Sequence, residues 1–258
     1  MLHPDQSTPD LPLRVGSSAE DLKLYGKLVQ NQRSHPTCVA HALSVGLDLL
    51  VRRQYGLSTG RVRFSPAWVH CASARGGQDW SKGRGLGNAI DALNEELPCS
   101  EEAFPYADGP SGFAAWKTPG RIDSSQTLTR RFGLPAVRKL EPSEIAQIKT
   151  LLAAGWIVVV TTSLTKEFLG RGFNRYGLPL TPLVGQTRET MGHAWLLVGY
   201  DHVDGQRQWK YQGRFIALNS WGSGWPTNPI RGAGLCHIPF AMLLSEGIEA
   251  YALRMPHT

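Results

Sequence analysis

Gln32 stands six residues before Cys38. His193 follows within Gly192-His193-Ala194-Trp195-Leu196-Leu197-Val198-Gly199-Tyr200, and Asn219 opens Asn219-Ser220-Trp221-Gly222-Ser223-Gly224-Trp225. Each residue type answers one demand of acyl transfer: a thiolate to attack, an imidazole to take and return a proton, an amide to orient the imidazole, and a donor for the oxyanion. Taken alone, a cysteine at a helix start is ordinarily a small buried apolar residue. The ordered partners turn the reading toward a nucleophile.

These residues need elements to bring them together. Val39, Leu43, Leu47 and Leu50 recur at helical spacing after Pro36-Thr37, which predicts a helix over 38 to about 53 with Thr37 as its cap. Cys38 then lies in the first turn, where the helix dipole and exposed amides lower a thiol pKa. Ser65-Pro66 predicts a second helix to about 72. A third is predicted over 88–96, after the glycine-rich Gly83-Arg84-Gly85-Leu86-Gly87. Residues 107–137 carry little periodicity and read as a long connection. Beyond them, 142–154 is helix-like, and Trp156-Ile157-Val158-Val159-Val160 suits a buried strand. Residues 193–199 and 214–219 read as two further strands, with Gly205 in the turn between them. An antiparallel pairing of those two would set His193 beside Asn219.

On these residues the chain resembles the papain-like cysteine peptidases, more narrowly the short bacterial members. Gln32 through Cys38 matches their active-site segment, Gly192-His193-Ala194 to Tyr200 their histidine strand, and Asn219-Ser220-Trp221-Gly222 with Gly224-Trp225 their asparagine loop. Phe64-Ser65-Pro66, Asn88-Ala89-Ile90 and Phe104-Pro105-Tyr106 fall where the family carries similar segments. The likeness spans about residues 30 to 245. It implies an α+β, two-lobed fold: a helical lobe, an antiparallel β-barrel-like lobe, and the active-site cleft between them. The expected division is an N-terminal arm over 1–18, a helical lobe over 19–118 and a β-rich lobe over 119–258.

The resemblance also implies roles. Cys38 is expected as nucleophile, His193 as base and then acid, and Asn219 as the partner that fixes the ring. Gln32, with the Cys38 amide, is expected to form the oxyanion hole. Trp221 would cover the His193–Asn219 bond, and Gly83, Gly85 and Gly87 would line the cleft and pair with an extended substrate. A thiolate–imidazolium pair is the expected resting state. The implied reaction is peptide-bond hydrolysis through a thioester, with no metal and no cofactor. Deamidation, transamidation or isopeptide cleavage on the same triad is one alternative, and a catalytically silent binding module is another.

The chain departs from the family at several points. His35-Pro36-Thr37-Cys38-Val39 stands where the family has Cys-Gly-Ser-Cys-Trp, so a disulfide cysteine and the aromatic after the nucleophile are both replaced. Cys71 matches a position often bridged in the family, but Phe113 falls at its partner's place. His193 and Asn219 follow Cys38 by 155 and 181 residues, against roughly 130 to 150 in the motif. Insertions at 107–137 and 201–213 would account for the difference. Pro226-Thr227-Asn228-Pro229-Ile230 replaces the family's glycine-rich rim after Trp225. His41, one turn after Cys38, is a rival base, but a base on the same helix seldom reaches around the sulfur. His35, His70, His202 and His237 lack metal-ligand spacing.

The 258 residues, 41% hydrophobic and 19% charged, suffice for a substantial core. The net charge of +6 is spread over short pairs such as Arg52-Arg53 and Arg130-Arg131 rather than a basic stripe. That pattern disfavours nucleic acid as a partner. No apolar run reaches the roughly 18 residues that cross a bilayer, and no secretory signal opens the chain, so no membrane association and a cytoplasmic location are expected. Export by a signal-independent route, as for an injected effector, is compatible with this. Only 37 residues precede Cys38, too few for a large inhibitory pro-segment, so restraint is expected from a separate inhibitor or immunity-type protein. The four cysteines form no Cys-x-x-Cys pair, and with Cys38 catalytic the other three cannot all pair internally. A reducing compartment is the simplest setting.

Overall fold

The computed structural model describes residues 14–16, 18–56, 62–74, 81–106, 128–164, 192–201, 213–225 and 234–256. Strand β1 (Arg14–Val15) leads to helix α1 (Ala19–Leu28), where the Ser18 hydroxyl accepts the Asp21 amide at 3.0 Å and caps the first turn. Helix α2 (Cys38–Tyr55) follows and ends at Gly56, whose φ of 59° supplies a left-handed stop. Its residues 39 to 52 are all buried, so it is the central helix and not an amphipathic surface one. Helix α3 (Pro66–Ala72) starts where Ser65 and Pro66 foretold, with the Ser65 hydroxyl accepting the Trp68 amide.

Helix α4 (Leu86–Glu95) begins two residues earlier than expected. Its N-cap is Gly85, which has no side chain to offer, and the Glu249 carboxylate accepts the Leu86 amide at 3.2 Å instead. That bond is between residues 163 apart, so no local motif could reveal it. Gly87 therefore lies inside a helix and not in a loop.

After the connection come α5 (Thr129–Phe132), β2 (Ala136–Leu140), α6 (Ile145–Ala153), β3 (Ile157–Ser163), β4 (Gly192–Asp201), β5 (Arg214–Leu218), β6 (Leu235–Pro239), α7 (Phe240–Glu246) and β7 (Gly247–Arg254). Residues 107–127 and Gly205 lie outside the described residues. The last part of the expected connection is structured, since α5 and β2 occupy it.

The sheet runs in the order β2-β7-β3-β4-β5-β6, every pairing antiparallel, and β1 joins the end of β4. Among the described residues it stays open, with β2 and β6 as edges, rather than closing like a barrel. The end of the expected N-terminal arm is thus part of the sheet: Arg14 and Val15 pair with Asp201 and Tyr200. Ile157 and Val159 of β3, with Leu196 and Val198 of β4, face the core built around α2. Val158, Val160, Trp195 and Leu197 point to the opposite face, against α6 and α7. Burial on both faces explains why β3 and β4 read as continuous apolar runs although their pairing is antiparallel. No described helix is long and apolar enough to cross a membrane.

Candidate active site

Cys38 is the first residue of α2 and half-buried; His193 is the second residue of β4 and 4% exposed; Asn219 immediately follows β5. β4 and β5 are antiparallel neighbours, with Leu196 opposite Leu218. The His193 Nε2 atom lies 2.7 Å from Asn219 Oδ1. The same oxygen accepts the Ser220 amide at 2.8 Å, so it acts as an acceptor on both sides and the proton of a neutral His193 belongs on Nε2. Nδ1 is then the basic nitrogen. The Asn219 oxygen thus favours one tautomer of the ring.

The imidazole is walled by indoles. Trp221 lies 4.8 Å from its centroid and tilted, Trp195 4.7 Å away and edge-on, and Trp225 packs on Trp221 at 5.0 Å. Trp195 Nε1 donates to Thr162 Oγ1 at 2.9 Å, which locks that ring. Sequence reasoning assigned Trp221 but passed over Trp195. The two-residue spacing from His193 along one strand face was the signal available.

Gln32 is brought to the same place by a short ladder between the lobes. Its amide donates to the Ser220 carbonyl at 2.7 Å, Asn31 bridges Trp221, and the Gly222 amide donates to the Gln30 carbonyl at 3.0 Å. Gly222 has a φ of 83°, and a Cβ there would lie 2.9 Å from Asn31 Nδ2. The Gln32 side chain donates from Nε2 to the His35 carbonyl at 2.7 Å and accepts the Ser220 hydroxyl at Oε1. Ser220 was not foreseen; its role depends on a contact 188 residues away in the chain.

A cleft of about 620 Å³ joins these groups. Gln32, Cys38, Gly83, Gly85, His193 and Trp221 all line it, together with Arg33, Arg84, Ile248 and Glu249. Gly87 does not: a Cβ there would meet Glu249 Oε1 and Tyr251 Oη, both 3.4 Å away. His41 is also absent from this wall. It is fully buried, with Nδ1 on the Thr37 carbonyl at 3.0 Å.

Burial acts on both the thiol and the imidazole. Burial pushes the Cys38 thiol up, although backbone amides of Ala194, Val39 and Cys38 itself pull it back down. Burial likewise drives His193 down to about 4, against the upward pull of Asn219. Both shifts act on each group singly, whereas in the expected thiolate–imidazolium pair each charge would stabilise the other. No group of three or more His, Cys, Asp or Glu among the described residues is arranged to hold a metal ion.

No family model matches the chain, and no curated protein matches it in sequence. Solved structures do. Xylellain, a cysteine protease from Xylella fastidiosa, is 21% identical with a TM-score of 0.73, over 99% of this chain and 91% of that one. The fold is papain-like. Digestive procathepsin L 3 from the larval midgut of Tenebrio molitor aligns over 96% of this chain and 71% of its own, at 19% identity and a TM-score of 0.62. The bromelain protease from Ananas comosus, solved with the E64 inhibitor, aligns over 95% of this chain and all of its own, at 17% identity and a TM-score of 0.61. At these identities the papain-like likeness is one of architecture.

Proposed function

We propose that this papain-fold protein is a cysteine endopeptidase. Cys38 attacks the scissile carbonyl as His193 Nδ1 takes its proton, and the tetrahedral oxyanion is met by Gln32 Nε2 and the Cys38 amide. Collapse expels the amine, protonated by His193, and leaves a thioester. Water, activated by the same imidazole, then releases the acid and restores the thiol. The observation that carries this reading is the 2.7 Å His193–Asn219 bond at the wall of the cleft that Cys38 also lines. The substrate is a protein or peptide chain bound extended, against the backbone of Gly83 and Gly85.

The test is incubation of the wild type and Cys38→Ala with a denatured protein, followed by mapping of new N-termini. New termini with the wild type alone are expected, and identical termini with both would refute the proposal. A one-dalton change of substrate side chains without scission would assign the site to deamidation instead.

A further inference from the structure

The turn from Gln32 to Cys38 carries both proposed oxyanion donors, the Gln32 amide at its start and the Cys38 backbone N–H at its end. It is tight. Arg33, at a φ of 55°, is the one non-glycine residue with positive φ among the described residues, and the His35 and Thr37 amides donate to the Gln32 and His35 carbonyls at 3.2 and 2.8 Å. In the enzymes this chain resembles, a disulfide cysteine occupies the place of His35. Here that position is a histidine, so no bridge can tie the turn at this point.

A phenol reaches the same turn from 69 residues further along the chain. Tyr106 Oη lies 2.9 Å from the Gln32 carbonyl and 2.8 Å from Thr37 Oγ1. A carbonyl can only accept, so the phenol donates to Gln32 and accepts the Thr37 hydroxyl. Its ring sits near edge-on to two imidazoles, His35 at 6.1 Å and His41 at 4.6 Å, and its backbone amide donates to Glu101 Oε1 at 3.2 Å. Burial pushes the phenol up to about 12, so it remains a donor throughout the neutral range.

Thr37 is the N-cap residue of α2, where a hydroxyl ordinarily accepts a first-turn amide. It makes no such bond. Its oxygen is held by Tyr106, and the amides of Cys38 and Val39 act on the Cys38 sulfur instead.

We propose that Tyr106 is a positioning residue whose hydroxyl pins both ends of the Gln32–Cys38 turn, setting the spacing of the oxyanion donors and keeping the Thr37 hydroxyl off the amides that face the sulfur. This rests on the reading of Cys38 as nucleophile.

Tyr106→Phe keeps the ring and deletes the hydroxyl, and two readouts separate the consequences. Peptide hydrolysis needs the oxyanion donors; alkylation of Cys38 by iodoacetamide followed against pH reports the thiolate and needs none. We expect kcat to fall roughly tenfold, a fraction of what losing a donor outright costs, with KM within about twofold. The alkylation midpoint should rise by about half a pH unit as the Thr37 hydroxyl turns to cap the helix. Adding Thr37→Val removes the competing hydroxyl, so the midpoint returns while kcat stays low. Wild-type kcat and midpoint in Tyr106→Phe overturn the inference, as does a loss of both that merely follows a falling folded fraction. A wild type that alkylates at Cys38 but cleaves no peptide overturns the endopeptidase reading instead, and the midpoints still test the Thr37 arm.

Discussion

Gln32 makes three connections at once: its backbone amide to the Ser220 carbonyl, its side-chain oxygen to the Ser220 hydroxyl, and its side-chain nitrogen to the His35 carbonyl. Two of these orient the amide and leave its second N–H for the cleft. Gln32→Ala should therefore lower kcat on the order of a hundredfold with little change in KM. Gln32→Glu, which keeps the oxygen for Ser220 but has no donor, should do no better; steady-state kinetics on one peptide compares the two. That Cys38, His193 and Gln32 share one cleft, with Asn219 bonded to His193, was legible because acyl chemistry calls for those types in that order. Ser220, Trp195, Tyr106 and Glu249 were not. Ser220, Tyr106 and Glu249 act through contacts with distant stretches of chain that nothing in their immediate sequence marks, and Trp195 is marked only by its two-residue spacing from His193.

Among the elements, the two-residue strand β1 makes the clearest demand on its neighbour. At the irregularity between Leu197 and Gly199 the β4–β5 register shifts, and Val15 of β1 passes directly over Gly199. A Cβ there would fall 2.1 Å from the Val15 carbonyl oxygen and 2.9 Å from its carbon. These are backbone atoms, so no side chain can move aside. Gly199→Ala should destabilise the protein by about 1–3 kcal/mol, seen as a lower urea midpoint together with faster hydrogen exchange at Val15. An unchanged midpoint would mean that the β1 pairing contributes nothing. Helices α2, α3 and α6 and strands β3, β4 and β5 were readable from periodicity and punctuation. β2 was hidden because it is an edge strand whose Ala136, Arg138 and Lys139 are exposed, which removes the apolar signal. The start of α4 was hidden because Glu249 supplies its cap.

For the whole molecule, three buried groups with large shifts contribute to how stability varies with pH. Asp48 accepts the Phe64 amide at 2.8 Å, and burial pushes its carboxyl up to about 8 against the pull of that bond and of Arg52 and Arg63. Burial holds His41 and His193 down to about 4. Between about pH 4 and 6.5 the unfolded chain binds the two histidine protons and the folded chain only that of Asp48, so stability rises with pH. Above 6.5 the folded chain alone keeps a proton, and stability falls until about pH 8. These groups place a maximum near pH 6.5, with slopes of about 1.4 kcal/mol per pH unit at most on either side. Urea titrations from pH 4 to 8 test it: Asp48→Asn, which retains the acceptor for Phe64, should abolish the fall on the alkaline side. Long-range contacts join the segments that line the groove, the 30–32 to 220–222 ladder and Glu249 on the Leu86 amide. Under the proposed endopeptidase reading, an extended chain entering the groove would give up conformational entropy of its own. Segments already strung out, such as taut surface loops or unfolded tails, should be cut in preference to helices and hairpins that must first unravel to enter.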